Sequence, residues 1–95
     1  MRLTLSVGEA HVRVHHVTKE RHGKQVRGTK ASLAVTGYTV PFESEADCNP
    51  KDQFNKKVGR HLAATRLLEQ IRGWEVLTKW DRALIFQAIC PEYRT

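Results

Sequence analysis

The stretch HVRVHHVTKERHGKQVRGTKASLAV, residues 11–35, sets two alternating apolar runs on either side of a strongly polar centre. Val12 and Val14 in the first run, and Ala31, Leu33 and Val35 in the last, recur every second residue. That is the period of a strand with one face buried. Between them TKERHGKQVRGT, residues 18–29, carries two glycines and five basic residues, His22 included, and reads as a long, polar, mobile hairpin loop. Upstream, RLTLSV at 2–7 alternates Leu3, Leu5 and Val7, and the short link GEA predicts an antiparallel hairpin into the strand at 11–17. Downstream, the third strand continues through KASLAVTGYTV at 30–40, where Thr36 and Val40 suit a pleated surface and Gly37 marks a bulge or bend.

PFESEADCNP then reads as a connector, and Asn49-Pro50-Lys51-Asp52 as a helix start: a cap, a proline at the first helical position and an early acid. The helix should run from about 50 to 72, where Gly73 stops it. Phe54, Val58, Leu62, Thr65 and Leu68 form its apolar stripe, widened by Ala64, Leu67 and Ile71. Thr78 with Asp81 three residues on is a second cap, and KWDRALIFQAIC forms a shorter helix closed by Pro91. The order β-β-β-α-α predicts one α+β domain over residues 1–95: a three-stranded antiparallel sheet with two helices packed on one face.

Charge narrows the function classes. The 95 residues carry 16 Lys/Arg against 10 Asp/Glu, a formal net charge of +6. Residues 1–30 hold seven cations and two acids, and residues 51–72 six and two, whereas FESEADC between them is net −3. Two basic blocks of this kind suit a phosphate backbone or an acidic protein surface. No apolar run approaches the roughly 18 residues of a membrane span, and MRLTLSVGEA lacks the hydrophobic centre of a secretion signal. The expected location is therefore the cytoplasm, with Cys48 and Cys90 as reduced thiols.

Catalytic and metal chemistry find little support. His11, His15 and His16 cluster, but Arg13 lies between His11 and His15 on the same strand face, and no Cys pair has zinc spacing. Cys48 beside a helix start is a candidate thiolate, yet His61 lies roughly 15–18 Å along the helix at about 1.5 Å per residue, beyond hydrogen-bond reach. GKQVRG lacks the spacing and the strand-to-helix setting of a phosphate-cradling loop. A non-enzyme without cofactor or metal is the expectation. The aromatic residues Phe54, Trp74, Trp80 and Phe86 fall at core spacings, leaving Tyr38 and Tyr93 freer, so no base-stacking platform is expected.

The remaining candidates are cations. Lys56, Lys57, Arg60 and Arg66 flank the apolar stripe, and Gly59 among them marks a close approach of the helix to a strand or a partner. Arg21, Lys24 and Arg27 in the polar loop supply a second cationic arm.

Cys48, Asp52, Phe54, Lys56, Lys57, Gly59, Arg60, Leu62 and Ala63 spell C-x(3)-D-x-F-x-[KR]-[KR]-x-G-R-x-[LI]-A. This segment resembles short proteins of bacteriophages and related mobile elements, mostly without assigned function. The resemblance implies a small protein that binds and alters a host machine such as RNA polymerase or a defence nuclease. With the charge pattern it gives the leading expectation, a non-catalytic binder of a host nucleic-acid-handling protein with an acidic surface. Direct DNA or RNA binding through phosphate contacts is the alternative, and a small structural subunit of an assembly the third.

Overall fold

The computed structural model describes residues 1–38, 41–47 and 55–93. It is an α+β fold in which a four-stranded antiparallel meander, in the order β1-β2-β3-β4, carries two helices. The strands are β1 (Arg2–Leu5), β2 (Gly8–Arg21), β3 (Lys24–Val35) and β4 (Phe42–Asp47), and the helices α1 (Lys56–Ile71) and α2 (Lys79–Ile89), with a 3-10 turn at Pro91–Tyr93. The expected third strand ends at Val35.

The sheet has one strand more than the sequence pattern predicts, and the polar segment at 18–29 is not a loop. It is the outer half of the β2–β3 hairpin, whose register runs without interruption from Ala10↔Val35 to Arg21↔Lys24. His22 and Gly23 form the two-residue turn, both in the left-handed region at φ 52° and 76°. That backbone is the one whose twist matches paired strands, and Gly23 adopts it without a Cβ penalty. Val7 sits in the β1–β2 turn rather than on the buried face with Leu3 and Leu5.

β4 occupies what reads as a connector. Its acids Glu43, Glu45 and Asp47 alternate with Phe42, Ser44 and Ala46, and register with β3 puts the second set opposite Leu33, Ala31 and Thr29 on the helix side. The core lies between that face and the helices. Leu5, Ala10, Val12, Ala31, Leu33 and Val35 of the sheet meet Ala63, Ala64, Leu67 and Ile71 of α1 and Ile85 and Ile89 of α2.

α1 starts later and faces differently from expectation. Asn55 caps it, its side chain accepting from Lys57 N at 3.0 Å and Val58 N at 3.3 Å; the expected start at Asn49-Pro50-Lys51-Asp52, with Cys48 and the Phe54 anchor, lies outside the described residues. Val58 and Leu62 are 53% and 40% exposed, while Gly59, Ala63, Ala64, Leu67 and Ile71 are buried. Small residues at the contact let the helix backbone approach the sheet closely. The Ser44 hydroxyl donates to the Ala63 carbonyl at 2.6 Å, satisfying a hydroxyl that would otherwise be costly to bury. Gly59 thus belongs to a contact inside the fold. Trp80, expected in the core, is 76% exposed.

The Thr78–Asp81 cap forms as expected, with both reciprocal hydrogen bonds present. Asp81 also reaches across the chain to accept from Ser6 N at 2.8 Å and from the Ser6 hydroxyl, fastening the β1–β2 turn to the start of α2.

Gly28 is buried in β3 where β4 crowds it. A Cβ there would stand 2.8 Å from Asp47 Oδ1 and 2.9 Å from the Ala46 carbonyl oxygen. The carboxylate can rotate away but the backbone oxygen cannot. Gly28→Ala is therefore expected to cost about 1–3 kcal/mol by forcing β3 and β4 apart. A melt followed by circular dichroism checks this, an unchanged midpoint being the contrary result.

Candidate anion-binding face

The strand pairing decides which hairpin cations approach the helix. Side chains directly opposite in an antiparallel pair share a face, so Val12, Val14, His16 and Thr18 of β2 lie on the helix side with Leu33, Ala31, Thr29 and Arg27 of β3. Arg27 therefore projects from the same face as the core, beyond its apolar end. Lys56 and Arg60, one turn apart at the start of α1, approach this region. Their convergence is registered by His16. Its imidazole is held below the usual histidine range first by burial, then by the positive charges of Lys56, Arg60 and Arg27. His16 Nδ1 lies 3.0 Å from the Thr29 hydroxyl.

Two basic segments about thirty residues apart in sequence, Arg27 from the hairpin and Lys56 and Arg60 from α1, thus both lie within electrostatic range of His16. Lys57 is exposed on the same helical turn. Arg60 is also tied to the far end of the chain: its Nη2 donates to both carboxylate oxygens of Glu92, at 3.2 and 3.3 Å. The Glu92 carboxyl is lowered first by a hydrogen bond from its own backbone N–H; desolvation opposes this, and Arg60 and Lys57 add further lowering.

The other expected cations stand elsewhere. Arg21 and Lys24 flank the hairpin turn on the opposite face, where Arg21 pairs with Asp47 at 3.0 Å, Lys19 with Glu45, and Lys30 with Glu43 at 3.4 Å. The acidic strand β4 thereby neutralises much of that face. Arg66 serves the fold, since its Nη1 donates to the Glu45 carbonyl at 2.6 Å, and Gln70 Nε2 likewise donates to the Glu43 carbonyl at 2.5 Å. Together they cover outward carbonyls of an edge strand, which would otherwise invite pairing.

His16 escaped the sequence reading as a member of this cluster, although its signal was present. In HVRVHH it lies in phase with Val12 and Val14, whereas His11 and His15 lie in phase with Arg13. His11, Arg13 and His15 are exposed on the outer face, as their shared spacing predicts.

Burial and the Glu92 charge raise the Cys90 thiol, against a smaller lowering by Arg60, which disfavours a thiolate. His61 packs its ring edge-on to Phe86, with centroids 5.7 Å apart. Among the described residues no group of three or more His, Cys, Asp or Glu side chains is arranged to hold a metal, and no helix is long and apolar enough to cross a membrane. No protein-family model, no curated protein and no solved structure matches the chain.

Proposed function

We propose that this is a non-catalytic binding protein that acts on nucleic-acid machinery, docking a cationic face formed by Arg27, Lys56, Lys57 and Arg60 on an acidic surface of a nucleic-acid-handling protein. One arrangement carries the reading: strand register puts Arg27 on the helix side of β3, and α1 begins with Lys56 and Arg60 within electrostatic range of His16 on the same face. Gathering like charges opposes folding, and such a cluster is relieved when an anionic partner arrives. The resemblance to phage proteins makes a host machine, such as a polymerase or a defence nuclease, the natural partner.

A second reading, direct contact with DNA or RNA phosphates, draws support from the hairpin. β2 has 14 residues, which at about 3.3 Å each match the 43 Å length of the molecule. Its outer part, with Arg21, His22, Lys24 and Arg27 exposed, is a two-stranded ribbon of the kind a major groove admits.

Capture from host lysate with and without nuclease separates the two. Under the protein-partner reading, captured material survives nuclease and moderate salt, and Arg27→Ala/Lys56→Ala/Arg60→Ala loses it. Loss on nuclease treatment, together with a gel shift whose log affinity falls steeply with log salt, would replace it by the direct one.

A further inference from the structure

Trp80 is 76% exposed, and Leu84, one turn further along α2, is 42% exposed. On a helix of 3.6 residues per turn Trp80, Leu84 and Ala88 rise along one flank, with Ala83 and Gln87 beside them. The packing of α2 fixes which flank this is. Ile85 and Ile89 enter the core, and Asp81 fastens to Ser6. Arg82 and Phe86 turn toward α1, the first sharing a groove with Thr65, Leu68 and Arg72, the second meeting the ring of His61. The Trp80–Leu84–Ala88 flank therefore faces away from α1, on the side of β1 and β2, the strands against which α2 packs.

This flank differs from the rest of the surface. In a chain of which 27% is charged, none of residues 80, 83, 84, 87, 88 and 91 carries a charge. At its C-terminal end, beside the end of β1, a hollow opens between α2 and β2, lined by Val12, Val14, Ala88, Ile89 and Pro91 together with Arg13 and Arg60. The projecting indole and the hollow thus stand eight residues apart on one helix, about 12 Å at 1.5 Å per residue, with Leu84 midway. A twofold axis beside Leu84, at right angles to α2, exchanges the two, and an interface about such an axis is self-complementary.

The charges fit the same exchange. A hollow with an apolar lining and guanidinium groups suits an indole, whose face attracts a cation. Lys79, with its Nζ 6.0 Å from the centre of the Trp80 ring, is carried to within about a helical turn of Glu92 in the second copy. The two α2 dipoles run antiparallel, each positive end beside a negative one.

We propose that the chain forms a twofold dimer through this flank of α2, Trp80 of each copy seated in the hollow beside Ala88 of the other. The contact is small. A buried tryptophan removes about 150–250 Å² from water, and a face of this size stays below the roughly 1,200 Å² in total at which weak interfaces end. Association therefore falls in the micromolar range. The dimer is separate from the binding of an acidic partner and answers salt in the opposite sense: two copies of charge +6 repel, so screening strengthens the dimer and weakens the grip on an acid.

Sedimentation velocity of the full chain over a concentration series, at about 0.05 and 0.5 M salt, should show a monomer–dimer equilibrium that tightens with salt. Trp80→Ala is expected to weaken it at least about tenfold and, since the side chain is mostly exposed, to shift the melting midpoint little. Ala88→Arg fills the hollow and abolishes the dimer. Mixing the two variants restores association, because the mixed pair keeps one intact contact, the Trp80 of one copy in the unfilled hollow of the other. A chain that stays monomeric up to about 1 mM overturns the dimer, as does self-association indifferent to Trp80→Ala, a result independent of whether Ala88→Arg folds. A mixture of the two folded variants no stronger than either alone overturns the twofold exchange. Loss of lysate capture by Trp80→Ala, from a wild-type protein that sediments as a monomer, assigns the flank to a different protein and overturns the dimer too.

Discussion

Replacing Arg27, Lys56 and Arg60 together by alanine is expected to weaken binding of the acidic partner about a hundredfold at low salt and leave the fold nearly intact. This magnitude takes about 1 kcal/mol per cation, below the roughly 1.5–7 kcal/mol of close charge pairs across interfaces, and each 1.4 kcal/mol is tenfold. The small stability effect follows from what these side chains do in the free protein. Lys56 is exposed, Arg27 sits beyond the apolar end of the core, and Arg60 pairs with Glu92 near the surface. A solvent-screened pair of that kind contributes little, and relief of the mutual repulsion sensed by His16 works in the other direction. Titration calorimetry on the captured partner, beside a thermal melt, tests both halves. A melting point lowered by more than about 10 °C would mean that the cations serve the fold, and unchanged affinity would remove the proposed face. The His16 imidazole offers a further readout: with the three neighbouring charges gone its midpoint, followed by NMR, should rise toward the ordinary histidine value.

The parts of the fold that were legible in the sequence have large residues in phase. Leu3 and Leu5, Val12 and Leu33, and the Thr78–Asp81 cap each carry a strong local signal, and each is found where its period or spacing puts it. What escaped has its reason in small or charged residues. The outer half of the β2–β3 hairpin offers almost no apolar alternation, because it extends past the core; cross-strand pairing, the left-handed His22-Gly23 turn and ion pairs to β4 hold it instead. β4 was hidden because the residues it turns inward after Phe42 are Ser44 and Ala46, which suit close approach rather than hydrophobicity. The same cause rotated the reading of α1: Gly59 and Ala63 carry little apolar weight, so the bulkier Val58 and Leu62 drew the stripe toward solvent. For the site, the identity of the cations was legible and their grouping was not. Grouping depends on strand register, which selects Arg27 and His16 for the helix side and sends Arg21 and Lys24 to the other.

Asp81→Ala is expected to destabilise the protein by about 3 kcal/mol, the upper end of what an unmade buried hydrogen-bond set costs. Asp81 is only 2% exposed, and its carboxylate accepts from Ser6 N at 2.8 Å, from the Ser6 hydroxyl and from Thr78 N at 3.0 Å. Alanine leaves these donors without their acceptor in a largely dry site, and unmade hydrogen bonds to a buried charge cost more than ordinary ones. It also removes half of the capping box of α2 and the tie between residues 75 apart in sequence. At about 4–8 °C per kcal/mol for a domain of this size, the melting point should fall by at least about 12 °C. The pH dependence carries a definite sign. Burial alone would raise the Asp81 carboxyl, but hydrogen bonds from Ser6 and Thr78 outweigh it and hold the group below its ordinary value. A carboxyl depressed in the folded state stabilises fully above its unfolded value, near 3.9, and loses that contribution as pH falls through the folded one. The stability gap between the wild-type protein and Asp81→Asn, measured by urea titration, should therefore stay constant from about pH 5 to 8 and close below about pH 4. A gap that persists undiminished to about pH 2.5, well below the ordinary carboxyl value, would show that the side chain acts through its shape and neutral hydrogen bonds, and that its charge does not fasten the first turn of the sheet to the second helix.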